Sequence, residues 1–197
     1  NFKPTMDTKF FSVSDPKDMV IGGRSVGSII EEGSFNLNDF TPYIPPTVDF
    51  LEDKGVEVHY LGFYHKWDPQ ECYYYASEHT GFKANTERTE GTYSKYSSID
   101  DCIDMFHYYT TLIKFGIGRA TYDAAQEIRN GKITREEGVL LVSKFDQEFP
   151  NKYFKEFLEY VSLSESEFHE TIDKFRSPHL WTKINGEWKL RNLVSNN

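Results

Sequence analysis

Ile128-Arg129-Asn130-Gly131-Lys132-Ile133-Thr134-Arg135-Glu136-Glu137 holds a helix stop and a helix start within ten residues. Asn130-Gly131 ends a helix running from Ala120 to Arg129, because glycine takes the left-handed conformation that closes a last turn. Thr134-x-x-Glu137 is a capping box, in which each side chain satisfies the backbone amide of the other. It opens a second helix that Pro150 closes. Further on, Phe154, Phe157, Leu158 and Val161 recur at i, i+3, i+4 and i+7, the spacing of one helical face. Ser164-x-x-Glu167 opens a last helix carrying Phe168, Ile172 and Phe175, and Pro178 stops it. Residues 119–176 therefore read as helix after helix. Trp181 to Leu193 then alternates around Asn185-Gly186, a strong hairpin signal.

Toward the N-terminus a helix is predicted over Ile99 to Lys114. Cys102, Met105, Phe106, Tyr109, Leu112 and Ile113 share one face, and Asp100, Asp104, His107, Thr111 and Lys114 the other. Gly116 and Gly118 break it. Thr80 to Ser98 lacks periodicity and reads as loop. Nine of the thirteen tyrosines fall between Tyr60 and Tyr109, so the centre of the chain is both polar and aromatic. Val56 to Tyr64 is rich in β-branched and aromatic residues and reads as a strand. A short helix, Thr47 to Lys54, precedes it and ends at Gly55, an order that suggests an α/β unit. Met19-Val20-Ile21 before Gly22-Gly23 reads as a short strand entering a turn, and 36–46 as loop.

The chain has 197 residues, 16% of them aromatic, and disordered chains are poor in aromatics, so it is expected to fold. Its formal charge of -9 disfavours nucleic acid and anionic membranes as partners. The two cysteines, Cys72 and Cys102, form no Cys-x-x-Cys pair and suggest neither a zinc site nor a disulfide scaffold. No apolar run approaches membrane-spanning length, and no basic-then-apolar leader is visible, which leads to the expectation of a soluble, cytoplasmic protein. The chain begins with Asn1 rather than Met, which suggests a fragment or a trimmed start.

Four stretches carry candidate chemistry. In Lys66-Trp67-Asp68-Pro69-Gln70-Glu71, Lys66 suits a phosphate and Asp68 or Glu71 a magnesium ion; equally, Asp68 caps a helix with Pro69 at its first position. Arg88-Thr89-Glu90-Gly91-Thr92-Tyr93-Ser94-Lys95-Tyr96 packs cations, a carboxylate and hydroxyls beside aromatic rings. It suits phosphate and sugar hydroxyls, or is a polar surface loop. The Asp100–Lys114 polar helix face, with His107, suits acid–base work or is simply solvated. Gly116-Ile117-Gly118-Arg119 opens a helix whose N-terminal amides suit an anion, with Arg119 beside them, or it is a tight corner between helices.

The ordered strings Lys66 to Glu71 and Arg88 to Asp101 resemble the N-acetyl sugar amidotransferases. So do Phe106-His107-Tyr108-Tyr109, Lys114-Phe115-Gly116-Ile117-Gly118-Arg119-Ala120-Thr121, Ile128-Arg129-Asn130-Gly131 and Ser177-Pro178-His179-Leu180-Trp181. These enzymes work in the making of lipopolysaccharide (LPS) O-antigen and flagellin glycans. The resemblance implies an α+β chain: a remnant of an α/β pyrophosphatase-loop (Rossmann-like) domain over residues 1–65, then a mainly helical part over 66–197. It implies an acetamido group converted to an acetamidino group on a nucleotide-activated sugar. ATP with Mg²⁺ adenylates the amide oxygen, releasing pyrophosphate, and ammonia from glutamine, delivered by glutaminase and cyclase-like subunits, attacks the activated carbon and displaces AMP. It further implies nucleotide or sugar contacts at Lys66, Trp67, Asp68, Arg88, Glu90, Thr92, Tyr93, Lys95, Tyr96, Lys114 and Arg119, catalytic roles for His107 and Asp101, and no bound metal in this chain.

The family's Ser-Gly-Gly-x-Asp-Ser ATP loop and its accompanying cysteines do not occur in the sequence. The expectation is therefore a chain inactive toward ATP by itself, as the C-terminal portion of an amidotransferase. The alternative is a non-catalytic sugar-nucleotide-binding or subunit-docking module.

Overall fold

A computed structural model describes residues 3–7, 10 and 12–194. The chain divides into two compact units, residues 1–67 and 68–197.

The first unit is built from short pieces. β1 (Thr5–Met6) pairs antiparallel with β4 (Val58–His59), and β2 (Val20–Ile21) with β3 (Arg24–Ser25). The β2–β3 turn is Gly22-Gly23, both at positive φ, as the sequence suggested. α1 (Val26–Glu31) follows, then a 3₁₀ stretch, Leu37–Tyr43, where a loop was expected; Asn36 and Asp39 close a capping box on it. α2 (Val48–Asp53) is capped by Thr47, whose side chain accepts from the Phe50 amide at 3.3 Å. The strand expected over Val56 to Tyr64 is cut to Val58–His59, and Leu61–Tyr64 turns into helix α3. β1 offers only two paired residues there, so beyond His59 the backbone satisfies itself locally, as in the His65 amide donating to the Leu61 carbonyl at 3.0 Å. All strand pairs among the described residues are antiparallel, so helix α2, Gly55 and β4 form no parallel α/β unit.

The second unit is helical and ends in a hairpin. α4 (Pro69–His79) starts on Asp68, whose carboxylate accepts from the Glu71 amide at 3.2 Å. A coil of polar residues leads to α5 (Asp104–Phe115), which starts five residues later than Ile99. Gly116, at φ 74°, ends it. α6 (Arg119–Asn130) ends on Gly131 at φ 72°, and α7 (Arg135–Phe145) begins on the Thr134–Glu137 capping box. α8 (Phe154–Val161) and α9 (Glu165–Lys174) follow, the latter with its Ser164–Glu167 box. β5 (Trp181–Ile184) and β6 (Glu187–Leu190) pair across Asn185-Gly186. The whole is an α+β chain with a helical C-terminal part.

The core gathers Leu112 and Ile113 of α5, Phe168 and Ile172 of α9, and Trp181 of the hairpin. The buried Trp181 indole N–H donates to the Ile113 carbonyl at 2.8 Å, tying hairpin to helix. Around these, Phe106 stacks on Phe157 with centroids 4.2 Å apart. α6 and α7 close on small residues: Ala120 and Ala124 are buried, and Gly138 faces Ile128.

Gly118 sets the start of α6. A Cβ there would lie 2.6 Å from the Asp146 carbonyl oxygen and 2.8 Å from its Oδ1. The glycine is needed for space, since its φ of -98° suits any residue. Gly118→Ala is expected to lower unfolding free energy by about 1–3 kcal/mol through overpacking, read from urea denaturation of the whole chain.

Candidate functional site

The Gly-x-Gly helix start does not present an open anion hole. Asp146, in the turn after α7, fills it from within. Its carboxylate accepts from the Gly118 amide at 3.0 Å, the Thr121 amide at 2.8 Å and the Thr121 hydroxyl at 2.9 Å. A helix N-terminus favours negative charge, and here the chain supplies its own. Burial pushes the Asp146 carboxyl above the ordinary range, against the opposing pull of those hydrogen bonds.

The loop from Asn85 to Ser98 turns inward in the same way. Arg88 meets Glu148 with two bonds of 2.6 Å and also donates to the Thr92 carbonyl at 3.1 Å. Its guanidinium lies 4.6 Å over the Phe145 ring. Glu148 also accepts from the Gly91 amide at 2.8 Å, and the Gly91 carbonyl takes the Ala120 amide at 3.1 Å. Thr92 is fully buried, and its hydroxyl donates to Asp123 at 2.6 Å. Glu90 accepts from the amides of Asn151 and Lys152, ahead of α8. Lys95 donates to the Thr86 carbonyl at 3.1 Å. Tyr96 stacks on Tyr73 at 4.6 Å and donates to Gln70 at 3.0 Å. This loop joins α4, α6, α7 and α8, so its charges are largely spent on the fold.

Two tyrosines of the loop stay protonated. Burial, together with Glu127 and Asp123, pushes the Tyr96 phenol up to about 12 and Tyr93 higher still. The Tyr93 hydroxyl is buried beside Glu127 without a hydrogen bond of good geometry, and burial raises the Glu127 carboxyl as well.

The remaining expected residues fall in several places. Lys66 and Trp67 are the last residues of the first unit, while Asp68 opens the second as a helix cap with Lys132 Nζ 3.6 Å away. Asp101 accepts from the Ile103 amide at 2.7 Å just before α5 and lines a crevice of about 50 Å³ with Arg88 and Glu90, too small for a sugar ring. His107 lies elsewhere, on the exposed face of α5, so the two expected catalytic groups line different depressions. Lys114 lies one helix end away, 5.3 Å over Phe115. No cluster of three or more metal-ligating side chains occurs among the described residues.

Arg119 and His107 do meet, in a cleft of about 430 Å³ between α5 and α6 that opens beside Pro69. Tyr108, Thr111, Tyr122, Asp123, Gln126 and Arg129 complete it. Arg119 is held rigidly: Nε donates to both Asp123 oxygens at 3.0 and 3.2 Å, Nη1 lies 3.6 Å from Asp104, and the guanidinium lies 4.3 Å over the Tyr108 ring. Two carboxylates thus neutralise it. Arg129 is exposed and donates to Gln126 at 2.9 Å. Tyr122 is half exposed. The cleft offers aromatic faces, amide and guanidinium donors and carboxylate acceptors in near charge balance, which suits hydroxyl and amide groups better than a bare triphosphate. Sequence reading missed Tyr122, Gln126 and Arg129. Their signal was the i, i+4, i+7 spacing on α6 opposite Ala120 and Ala124.

The Arg88–Glu148 pair yields a pH test. Hydrogen bonds from Arg88 and the Gly91 amide hold the Glu148 carboxyl below the ordinary range. A depressed folded value adds stability that is complete above the unfolded glutamate value of about 4.3 and is lost as pH falls below it. Glu148→Gln is expected to cost about 1 kcal/mol at pH 7, after solvent screening. The gap to wild type should close below about pH 4 in parallel denaturation curves.

No curated protein matches the chain. The model of a family described as LPS biosynthesis protein WbpG-like, C-terminal domain, matches residues 90–194, which take in the inward-turned loop from Glu90 onward, the α5 and α6 walls of the cleft, and the hairpin. That match spans more than half of the chain, which therefore belongs to the WbpG-like family of LPS biosynthesis proteins.

Proposed function

We propose that this chain supplies the sugar-contacting side of an ATP-dependent N-acetyl sugar amidotransferase. The enzyme converts the acetamido group of a nucleotide-activated sugar to an acetamidino group, with ammonia from glutamine, on the way to LPS O-antigen or flagellin glycan. The carrying observation is the α5–α6 cleft, whose 430 Å³ falls within the usual range of small-molecule sites. Tyr122 offers a face for a sugar or base, Arg129 and Gln126 donate hydrogen bonds, and Asp123 accepts them. Arg119, fixed by Asp104 and Asp123, orients this wall more than it binds phosphate. His107, at the rim, is the one imidazole placed to exchange a proton with a ligand in the cleft.

ATP and Mg²⁺ do not fit the residues described here. The N-terminus of α6 is filled by Asp146 and Arg88 is paired with Glu148, so neither cradles a triphosphate. In this reading ATP is held outside these residues, and the glutaminase and cyclase-like subunits deliver ammonia to the assembled enzyme. The inward-turned loop also favours a second reading, a non-catalytic module that binds the sugar nucleotide or docks a subunit.

Calorimetric titration of the chain with UDP- and CMP-linked acetamido sugars tests the site. One of them is expected to bind without ATP. Tyr122→Ala should weaken it by up to about tenfold, the worth of an aromatic stack, and Arg129→Ala by a similar factor. Absence of binding to every such sugar nucleotide sinks the cleft as a substrate site. Binding unchanged in both variants moves it elsewhere. Binding that persists while Arg129→Ala leaves the turnover of the assembled enzyme untouched selects the second reading.

A further inference from the structure

A second depression, of about 440 Å³, runs between α5, α8 and α9. Its floor is apolar and well packed: Ile113, Phe168 and Ile172 are buried. Its mouth is apolar and open, with Phe115 58% and Phe175 54% exposed. α8 packs Phe154, Phe157 and Leu158 against the core, yet each of them remains only partly buried. Three helices so arranged leave a seat for a fourth, the arrangement in which an apolar helix face is covered on all sides.

Among the described residues, Lys114 is the one formal charge on the rim at pH 7. His107 and Lys114 are its titratable side chains, joined by the hydroxyls of Thr110, Thr111 and Thr171, and no carboxylate lines it. This stands out in a chain with 31 acidic and 22 basic residues. His107 and Lys114 lie seven residues apart on α5, so they share a face and are separated by roughly 10 Å along the helix axis. Two acidic residues one heptad apart on a neighbouring helix reach both, one pairing with the Lys114 ammonium and the other accepting a hydrogen bond from the His107 ring.

We propose that this groove receives an amphipathic helix of a partner protein, with apolar residues at i, i+4 and i+7 facing Phe157 and Phe175, and two acidic residues seven apart facing His107 and Lys114. The proposal does not depend on the sugar reading of the cleft, which opens on the α6 side of α5.

The test is fluorescence anisotropy of the full chain with two labelled helical peptides of about sixteen residues. They share leucines at i, i+4 and i+7, and carry either glutamates or lysines at two positions seven apart. The glutamate peptide is expected to bind saturably and at least tenfold more tightly than the lysine peptide, with the preference shrinking as salt is raised. Lys114→Glu, an exposed change that leaves the core intact, should erase or reverse that preference. Phe175→Ala should weaken both peptides, with the thermal transition of each variant confirming the fold. Equal affinity for the two peptides, or a preference unchanged in Lys114→Glu, overturns the proposal. So does concentration-dependent dimerisation lost in Lys114→Glu, which assigns the groove to a second copy, or displacement of the peptide by dodecanoate at comparable concentration, which assigns it to a lipid.

Discussion

A buried carboxylate at the head of a helix holds the second unit in register. Asp146 comes from the end of α7 and binds the first amides of α6, so the two ends of an antiparallel helix pair are pinned to each other. The pairing needs Gly118, because any side chain would occupy the space of the carboxylate. Two residues on, Glu148 grips Arg88 and the Gly91 amide, and Gly91 in turn meets Ala120. One short acidic turn therefore fixes where α6 begins and where the polar loop lies. Tyr122, Asp123, Gln126 and Arg129 inherit their places from that anchorage.

This explains why a loop dense in charge and hydroxyls is not the obvious binding surface. A buried polar group must find partners inside, and the loop residues satisfy one another and the helix ends around them. Thr92 bonds to Asp123, and Asp123 bonds to Arg119, so the loop reaches the cleft through a relay of hydrogen bonds while presenting little of itself there. The loop acts as mortar, and the outer face of α6 is what lines the cleft.

Where local chemistry decides, the sequence was readable. The Thr134 and Ser164 boxes, the Gly116 and Gly131 stops and the Asn185-Gly186 turn are each set by residues within four positions, and each formed as expected. Asp68 as a helix cap was one of two readings of its motif, and the cap is formed. What the sequence hid was long-range. Arg88 and Glu148 are sixty residues apart, and nothing local marks Glu148 as the partner of that guanidinium. The filling of the α6 N-terminus by Asp146 was hidden for the same reason. The strand at Val56 to Tyr64 failed because its length depends on a partner strand, and β1 is only two residues long. Of the candidate site, His107 and Arg119 were legible as chemistry-bearing residues, whereas the aromatic and amide groups of α6 needed the helix to be seen beside α5.

Helix α5 is a shared wall. His107 and Thr111 line both the polar cleft and the apolar groove, so the two depressions adjoin along one face of a single helix. A ligand in either depression would therefore meet side chains that also shape the other. Were both depressions occupied, thermodynamic linkage would make any such influence mutual, each occupant altering the affinity of the other by the same factor.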